Sequence, residues 1–293
     1  MSIFTEASNP NTWDIDIQNG EEIAKLINNE DQKAALAVQK ELDKIGRSID
    51  LIAQCFLQGG RLAYFGAGTS GRIGVLDASE AVPTYSVDAN LIKGYIAGGD
   101  RALRYSVENA EDDAALALKD LDDFAPQKND VVVGISASGN PKYILSLMEA
   151  AQKKGVHTIA VTCNPDAKSK AFADIFICTE VGPEVITGSS RMKAGTAQKM
   201  VLNMLSTGAM IKIGKTYHNY MIDVKISNEK LYERGCRFVS EICNLPLKEA
   251  QELLEKAGLS VKTACVMALK KCSKIDAEKM LASVHGVLRK VIG

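Results

Sequence analysis

Short apolar runs alternate with longer amphipathic segments through the middle of the chain. Five runs have the length and continuous apolar character of strands in a parallel sheet, namely Leu62–Phe65, Leu91–Ala97, Val131–Ile135, Thr158–Thr162 and Ile175–Cys178. Amphipathic segments with helical spacing lie between them, near residues 71–80, 101–122, 141–154 and 196–213. Because strand–helix–strand units are right-handed and pair their strands in parallel, this alternation predicts an α/β fold with a five-stranded parallel sheet sandwiched by helices.

The two ends of the chain follow other patterns. The first 20 residues are rich in Asn, Pro and Asp and predict an extended arm, and helical spacing over about residues 20–57 predicts a helix. Residues 221–293 lack strand signals and predict three short helices in a small bundle. We therefore expect three parts: an N-terminal arm and helix over 1–54, a sheet domain over 55–218 and a helical domain over 219–293.

Composition narrows the class of protein without identifying it. The 293 residues include 35 Lys and Arg against 36 Asp and Glu, so the formal net charge is −1, which argues against nucleic acid or an anionic membrane as the partner. Hydrophobic content of 46% and charged content of 24% are typical of globular proteins. The chain has no run of the roughly 18 uncharged apolar residues that a membrane helix needs, and its first residues lack a signal-peptide pattern.

The seven cysteines are scattered, with no Cys-x-x-Cys pair and no Cys/His cluster. This spacing favours small buried thiols in a reducing compartment over a metal centre. We therefore predict a soluble cytoplasmic protein without a metal site.

A glycine-rich loop follows the first predicted strand and opens a helix. Its sequence, Gly-Ala-Gly-Thr-Ser-Gly-Arg over residues 66–72, matches the Gly-x-Gly-x-x-Gly pattern of dinucleotide sites. The hydroxyls of Thr69 and Ser70 favour a phosphate-sized anion instead, and the next predicted strand does not end in an acidic residue that could bind a ribose.

A second hydroxyl-rich loop follows the third predicted strand. Residues 134–140 contain Ser136 and Ser138 and open another helix. Serine and glycine also make ordinary caps and turns, which explains either loop alone. Two such loops at neighbouring strand ends are better explained by a bound phosphate, because hydroxyls, backbone N–H groups and two helix N-termini then surround one anion.

Candidate acid and base groups follow two of the predicted strands. Glu80 ends the predicted helix after the first loop, and Glu111 lies near the helix after the second strand, both towards the edge of the sheet that carries the two serine loops. Two carboxylates beside a sugar can act as general acid and general base. Solvent-exposed glutamates on helices have the same spacing, so the pattern alone does not separate them from their neighbours.

A dense polar segment follows the last predicted strand. Residues 180–196 place groups of both charges in one loop before a helix, as in the wall of a binding site. A capped helix start with basic residues in solvent would have a similar sequence.

Several long motifs occur in a fixed order along nearly the whole chain: Asn9–Thr12, Asp14–Asp16, Gly66–Glu80, Gly134–Gly139, Val181–Lys199, Val201–Gly208 and Asn228–Lys230. In these motifs the sequence resembles the bacterial N-acetylmuramic acid 6-phosphate etherases, which belong to the sugar isomerase (SIS) superfamily. The resemblance implies an SIS fold, a ubiquitin-associated-like helical domain at the C-terminus and a homodimer.

The resemblance also implies a reaction in the recycling of cell-wall amino sugars. The D-lactyl ether of N-acetylmuramic acid 6-phosphate is cleaved to N-acetylglucosamine 6-phosphate and D-lactate, by elimination and then addition of water. The open-chain sugar has an acidic proton at C2, next to the C1 aldehyde, and lactate leaves from C3. This route implies an acid and a base, and neither a metal nor a nicotinamide cofactor.

Family roles transferred to matching positions make Glu80 the acid that protonates the departing lactate and Glu111 the second acid/base group, which removes the C2 proton. The implied substrate-binding residues are Gly68, Thr69, Ser70, Ser136, Ser138, Glu184, Arg191 and Lys193, with the hydroxyls on the phosphate. The chain departs from the family pattern at Asn140-Pro141, where the family often has Arg-Thr, and at Ala81-Val82, where it often has Cys-Pro.

Two other functions remain open at this stage. One is a non-catalytic sugar-phosphate sensor like the related glucokinase regulatory protein, which is larger and has two SIS domains. The other is an aldose–ketose isomerase of the same superfamily, which shares the proton transfer but releases no lactate. Release of D-lactate separates the etherase from both.

Overall fold

A computed structural model describes residues 4–293; the first three residues of the segment that lacks a signal-peptide pattern lie outside the described part. The chain forms two compact units. The first unit contains the described residues up to Glu80 together with Ala89–Ser206, and the second contains Ala81–Asp88 together with Thr207–Gly293. No helix within residues 4–293 has the length and apolar character needed to cross a bilayer.

The first unit is built on the predicted parallel sheet. Its strands are β1 (Leu62–Gly66), β2 (Ile92–Ile96), β3 (Val131–Ile135), β4 (His157–Thr162) and β5 (Ile175–Cys178), in the spatial order β2-β1-β3-β4-β5. The chain therefore leaves β1 towards one edge and returns to its other side with β3, which makes a switch point between them. In the register of this pair Gly66 lies opposite Ile135, so the loops after β1 and β3 start side by side.

The helices of the first unit begin where local signals direct them. They are α1 (Gly20–Gln39), α2 (Leu42–Leu57), α3 (Gly68–Tyr85), α4 (Arg101–Arg104), α5 (Ala114–Phe124), α6 (Lys142–Lys153) and α7 (Lys193–Lys212), of which α3 and α7 end in the second unit. The α1 helix starts after Asn19 because its side chain accepts from the Glu22 N–H, and α5 starts after Asp113 in the same way.

Three segments differ from the sequence-based prediction. The arm contains short 3-10 turns at Phe4–Glu6, Pro10–Thr12 and Ile15–Ile17 rather than a purely extended chain. The predicted helix over 20–57 is two helices, and the predicted segment 101–122 is α4, a 3-10 turn and α5. Neither break contains a glycine or proline that would have marked it.

The core of the first unit lies between the sheet and its helices. Phe65 and Val132 from the strands pack with Tyr143, Leu147 and Met148 from α6, and all five are fully buried. Fully burying an aliphatic or aromatic side chain of this size contributes roughly 1.5–3 kcal/mol. This layer fixes the ends of β1 and β3 relative to α6.

The second unit is mainly helical. Within residues 207–293 its elements after the end of α7 are a hairpin of β6 (Thr216–Tyr217) and β7 (Tyr220–Met221), then α8 (Glu229–Cys243), α9 (Leu247–Lys256), α10 (Val261–Lys270), α11 (Lys274–Ser283) and α12 (Leu288–Ile292). The predicted helical character is confirmed, but these residues form five helices where the sequence predicts three. Strands of two residues are too short to produce an alternating pattern, so the hairpin escapes prediction. The ubiquitin-associated-like resemblance stays a prediction.

Candidate functional site

A cavity of about 610 Å³ opens at the carboxyl ends of β1 and β3 in the first unit. This volume is in the range of small-molecule sites, and the position is where open parallel sheets bind their ligands. Its walls come from the two strand-end loops, a turn before α5, the loop before α7 and the N-terminal arm. The lining residues are Thr5, Glu6, Ala67–Ser70, Glu111, Asp112, Ser136–Ser138, Asn140, Pro141 and Gly188–Arg191.

Two glycines hold the start of α3 against the end of β1. A Cβ at Gly66 would lie 2.5 Å from the Gly71 nitrogen, and a Cβ at Gly71 would lie 2.6 Å from the Gly66 oxygen. Between them Gly68 has a φ of +53°, in the left-handed region that favours glycine. The first three residues of α3, Gly68–Ser70, line the cavity, and the free N–H groups at a helix N-terminus favour an anion there.

The loop after β3 is shaped by its own serines. Ser136 Oγ accepts from the Gly139 N–H at 3.0 Å, and Ser138 Oγ accepts from the Asn140 N–H at 3.3 Å. Gly139 has a φ of +68°, and a Cβ there would lie 2.4 Å from the Ala167 Cβ. We call Ala67–Ser70 and Ser136–Ser138 the paired loops; they bring the predicted residues Gly68, Thr69, Ser70, Ser136 and Ser138 together in one cavity.

Ser70 makes a contact that the sequence analysis missed. Its hydroxyl donates to Gln198 Oε1 at 2.9 Å, and both side chains are buried. Gln198 lies in the second turn of α7. A single polar residue inside an amphipathic helix gives no sequence signal of the loop that it faces in the folded chain.

The loop before α7 supplies the third wall through Gly188–Arg191, which includes the predicted Arg191. Its ends are fixed by Glu184, whose carboxylate accepts from the Lys193 N–H at 3.2 Å and the Ala194 N–H at 2.9 Å. Burial raises the pKa of Glu184, and these two backbone hydrogen bonds partly oppose that rise. Glu184 is therefore placed as a helix cap.

Lys193 lies in the interior of the first unit and pairs with Glu30 of α1. Glu30 also accepts from Lys33 at 2.6 Å and from Asn11 at 3.2 Å. Burial alone would raise the pKa of Glu30, but the hydrogen bonds from Lys193, Lys33 and Asn11 outweigh it and lower the pKa to about 2. The structure thus does not bring Glu184 or Lys193 to the cavity wall; both hold the loop between them.

The two predicted catalytic glutamates are separated. Glu111 lies in the 3-10 turn Ala110–Asp112 and lines the cavity beside the paired loops. Glu80 is exposed on α3 and does not line the cavity. It follows Ser70 by ten residues on the same helix, which is about 15 Å along the axis. The helix predicted over residues 71–80 already implies this distance, because its residues carry Glu80 away from the serine loops of the same chain.

A smaller cavity of about 220 Å³ adjoins the first and shares Ala67, Gly68 and Glu111 with it. Its wall includes Arg72, whose Nε donates to the Leu103 carbonyl at 3.1 Å. The sequence pattern gives no signal that separates this arginine from other basic residues. Arg72 adds a positive charge next to the cavity, on the side of Glu111.

Three family models match stretches of this chain. The N-terminal SIS domain of glucokinase regulatory protein matches residues 44–152, the SIS domain matches residues 112–208, and the C-terminal lid domain of glucokinase regulatory protein matches residues 218–262.

Curated relatives match nearly the whole chain. The chain is 49% identical to N-acetylmuramic acid 6-phosphate etherase of Clostridium botulinum (strain Langeland), over 99% of this chain and 96% of the relative. It is 46% identical to the protein of that name from Actinobacillus pleuropneumoniae, over 99% and 95%. Among solved structures, a phosphoheptose isomerase from Francisella tularensis is similar in fold, with a TM-score of 0.52, 18% identity and coverage of 66% of this chain and 98% of the other.

Proposed function

Because the chain belongs to the N-acetylmuramic acid 6-phosphate etherase family, we propose that it is a carbon–oxygen lyase that cleaves the D-lactyl ether of N-acetylmuramic acid 6-phosphate. The products are N-acetylglucosamine 6-phosphate and D-lactate, formed by elimination followed by addition of water. Beyond family membership, the assignment rests on one observation: the paired loops and Glu111 line the same cavity.

The paired loops bind the 6-phosphate in this proposal. Thr69, Ser70, Ser136 and Ser138 supply hydroxyls, and the start of α3 supplies backbone N–H groups and the positive end of its dipole. Among the described residues that line this cavity, Arg191 alone is a lysine or arginine. It compensates for the arginine that the family often has at position 140.

Glu111 removes the C2 proton. With the sugar ring open, this proton is alpha to the C1 aldehyde, so a carboxylate can remove it when the negative charge spreads onto the aldehyde oxygen. The position of Glu111 in the cavity wall, beside the loops proposed to hold the phosphate, supports this role. The electron pair left at C2 then expels the lactate oxygen from C3, which takes up a proton as it leaves.

Glu80 donates that proton, from the second subunit of a homodimer. Within one chain Glu80 lies about 15 Å along α3 from Ser70 and faces solvent. An exposed acid at that distance supports a site completed by Glu80 of the partner subunit rather than by Glu80 of the same chain.

The setting of the reaction is the recycling of cell-wall amino sugars in the cytoplasm. All seven cysteines are free and six are buried, which supports a reducing compartment.

The direct test is D-lactate release from N-acetylmuramic acid 6-phosphate by the purified protein, with no added metal or nicotinamide. Release at an ordinary enzymatic rate of about 1 per second or faster is expected. Binding of the sugar phosphate without release would favour the sensor, and conversion of an aldose phosphate to a ketose without lactate would favour the isomerase.

The roles of the glutamates are separated by isotope exchange in D2O. Glu80→Ala is expected to lose lactate release by a factor of about 100 or more while C2 still exchanges its proton for deuterium. Glu111→Gln is expected to lose both. Glu149→Ala, at a half-buried glutamate on α6 that does not line the cavity, is the control and keeps both activities. Loss of exchange in Glu80→Ala would contradict its assignment as the acid alone.

A further inference from the structure

Ser70 differs from the other serines of the paired loops in the direction of its proton. Ser136 and Ser138 accept backbone N–H groups at their oxygens, so each keeps its own hydroxyl proton for another acceptor. Ser70 instead donates its proton to Gln198 Oε1 at 2.9 Å. Towards the cavity Ser70 therefore presents oxygen lone pairs.

This arrangement does not suit a bound phosphate. A phosphate dianion has acceptor oxygens and needs donors around it. While the Ser70 hydroxyl donates to Gln198, the lone pairs of the Ser70 oxygen face the cavity and repel an anion there. For Ser70 to bind phosphate, its hydroxyl has to turn away from Gln198 so that its proton points into the cavity. The buried Ser70 oxygen then needs a hydrogen-bond donor on the Gln198 side.

Gln198 has that donor, and the donor is unused. The side chain is 1% exposed, and its Nε2 has no hydrogen-bond partner within residues 4–293. Buried amide nitrogens are normally hydrogen-bonded. A half-turn of the amide about its last side-chain bond places Nε2 against Ser70 Oγ and moves Oε1 to the position that Nε2 leaves. One amide atom is without a partner before and after the turn, so the protein loses no internal hydrogen bond.

We propose that Gln198 is a positioning residue whose amide turns when phosphate enters the paired loops, so that Ser70 changes from a donor to Gln198 into a donor to the phosphate. Nε2 of Gln198 then donates to Ser70 Oγ and fixes the hydroxyl proton on the phosphate. This inference rests on the proposed phosphate role of the paired loops. It explains why a glutamine, which can both donate and accept, stands behind Ser70, where a carboxylate could only accept.

The test is a double-mutant cycle between Gln198 and Ser70, with inorganic phosphate as a competitive inhibitor of lactate release. Gln198→Glu keeps the size of the side chain but holds the Ser70 proton. We expect it to weaken phosphate inhibition and raise KM by roughly tenfold to a hundredfold, the range of one hydrogen bond to a charged group. In a Ser70→Ala background the same substitution should change both values less than threefold, because no proton is left to hold. Gln152→Glu, on the exposed surface of α6, controls for added charge.

The outcomes separate this inference from the proposed function. If Ser70→Ala alone leaves phosphate inhibition and KM unchanged, the phosphate role of the loop is wrong. If Ser70→Ala weakens binding but Gln198→Glu acts equally in both backgrounds, simple charge repulsion explains it and the inference is overturned. Should Gln198→Glu fail to fold in thermal unfolding, Gln198→Met, which has neither donor nor amide acceptor, replaces it. Its effect must then depend on Ser70, and additive effects would overturn the inference.

Discussion

Arg191 and Lys193 show how two basic residues, two positions apart in the chain, act differently because their surroundings differ. The sequence groups Lys193 with Arg191 because both stand in one polar loop. In the structure Arg191 lines the cavity, whereas Lys193 is buried against Glu30. Both charges have been taken out of water, so removing either partner leaves the other charge buried without its compensation.

Replacing Lys193 with an uncharged residue is therefore expected to lower the stability of the protein more than it changes lactate release. Lys193→Met leaves Glu30 buried with one partner fewer, and the free energy of unfolding should fall by about 3–5 kcal/mol. Lys153→Met, which breaks an exposed pair with Glu149, should cost under about 1 kcal/mol. Urea unfolding at pH 7 measures both, and equal losses would show that Lys193 is not needed to neutralise Glu30.

Stability should also depend on the ionisation of Glu30. Its pKa is lowered to about 2 in the folded protein, from an ordinary value of 4.5. The folded state thus binds this proton less tightly than the unfolded state, so the stabilisation is present above the ordinary value and is lost as the pH falls towards 2. In urea unfolding from pH 6 downwards, the stability difference between the wild type and Glu30→Gln should shrink below about pH 4.5. A constant difference would contradict this assignment.

At the scale of elements, the sequence predicts the sheet, the paired loops and which strands these loops follow, because apolar runs and glycine–serine loops are local signals. Glu184 and Gln198 are different, since their roles depend on which backbone or side chain the fold brings to them. The length of α3 is decided in the same way: Pro83 lies inside it, where the sequence pattern predicts an end near residue 80.

The close approach of α3 to β1 gives a prediction at this scale. Gly71→Ala places a methyl group 2.6 Å from the Gly66 oxygen and 2.7 Å from Ile96 Cγ1, so the start of α3 must move. We expect a loss of about 1–3 kcal/mol in stability together with a higher KM. Gly46→Ala, inside α2 with nothing within 4 Å, should instead stabilise by about 0.5–1 kcal/mol at unchanged KM. A rise in stability for Gly71→Ala would show that the two elements do not need to be this close.

At the scale of the whole molecule, the separation of Glu80 from Glu111 predicts complementation between subunits. If Glu80 of the partner subunit completes the site, a mixture of Glu80→Ala and Glu111→Gln chains contains dimers with one intact site. Random mixing makes half of the dimers mixed, so lactate release should return to about a quarter of the wild-type rate. Two variants that stay inactive after subunit exchange would place both glutamates of a site on one chain.

The three-part division at residues 54 and 218 remains a prediction.

The second unit is discontinuous in the chain, and this affects the order in which it can be assembled during synthesis. Ala81–Asp88 leaves the ribosome more than a hundred residues before Thr207, the first residue of the other segment of that unit. At about 5–20 residues per second, the early segment waits on the order of ten seconds for its partners. The nascent chain therefore has the first unit's sequence complete at Ser206, while the second unit exists only as the eight residues Ala81–Asp88, which include the end of α3, and α7 is still unfinished.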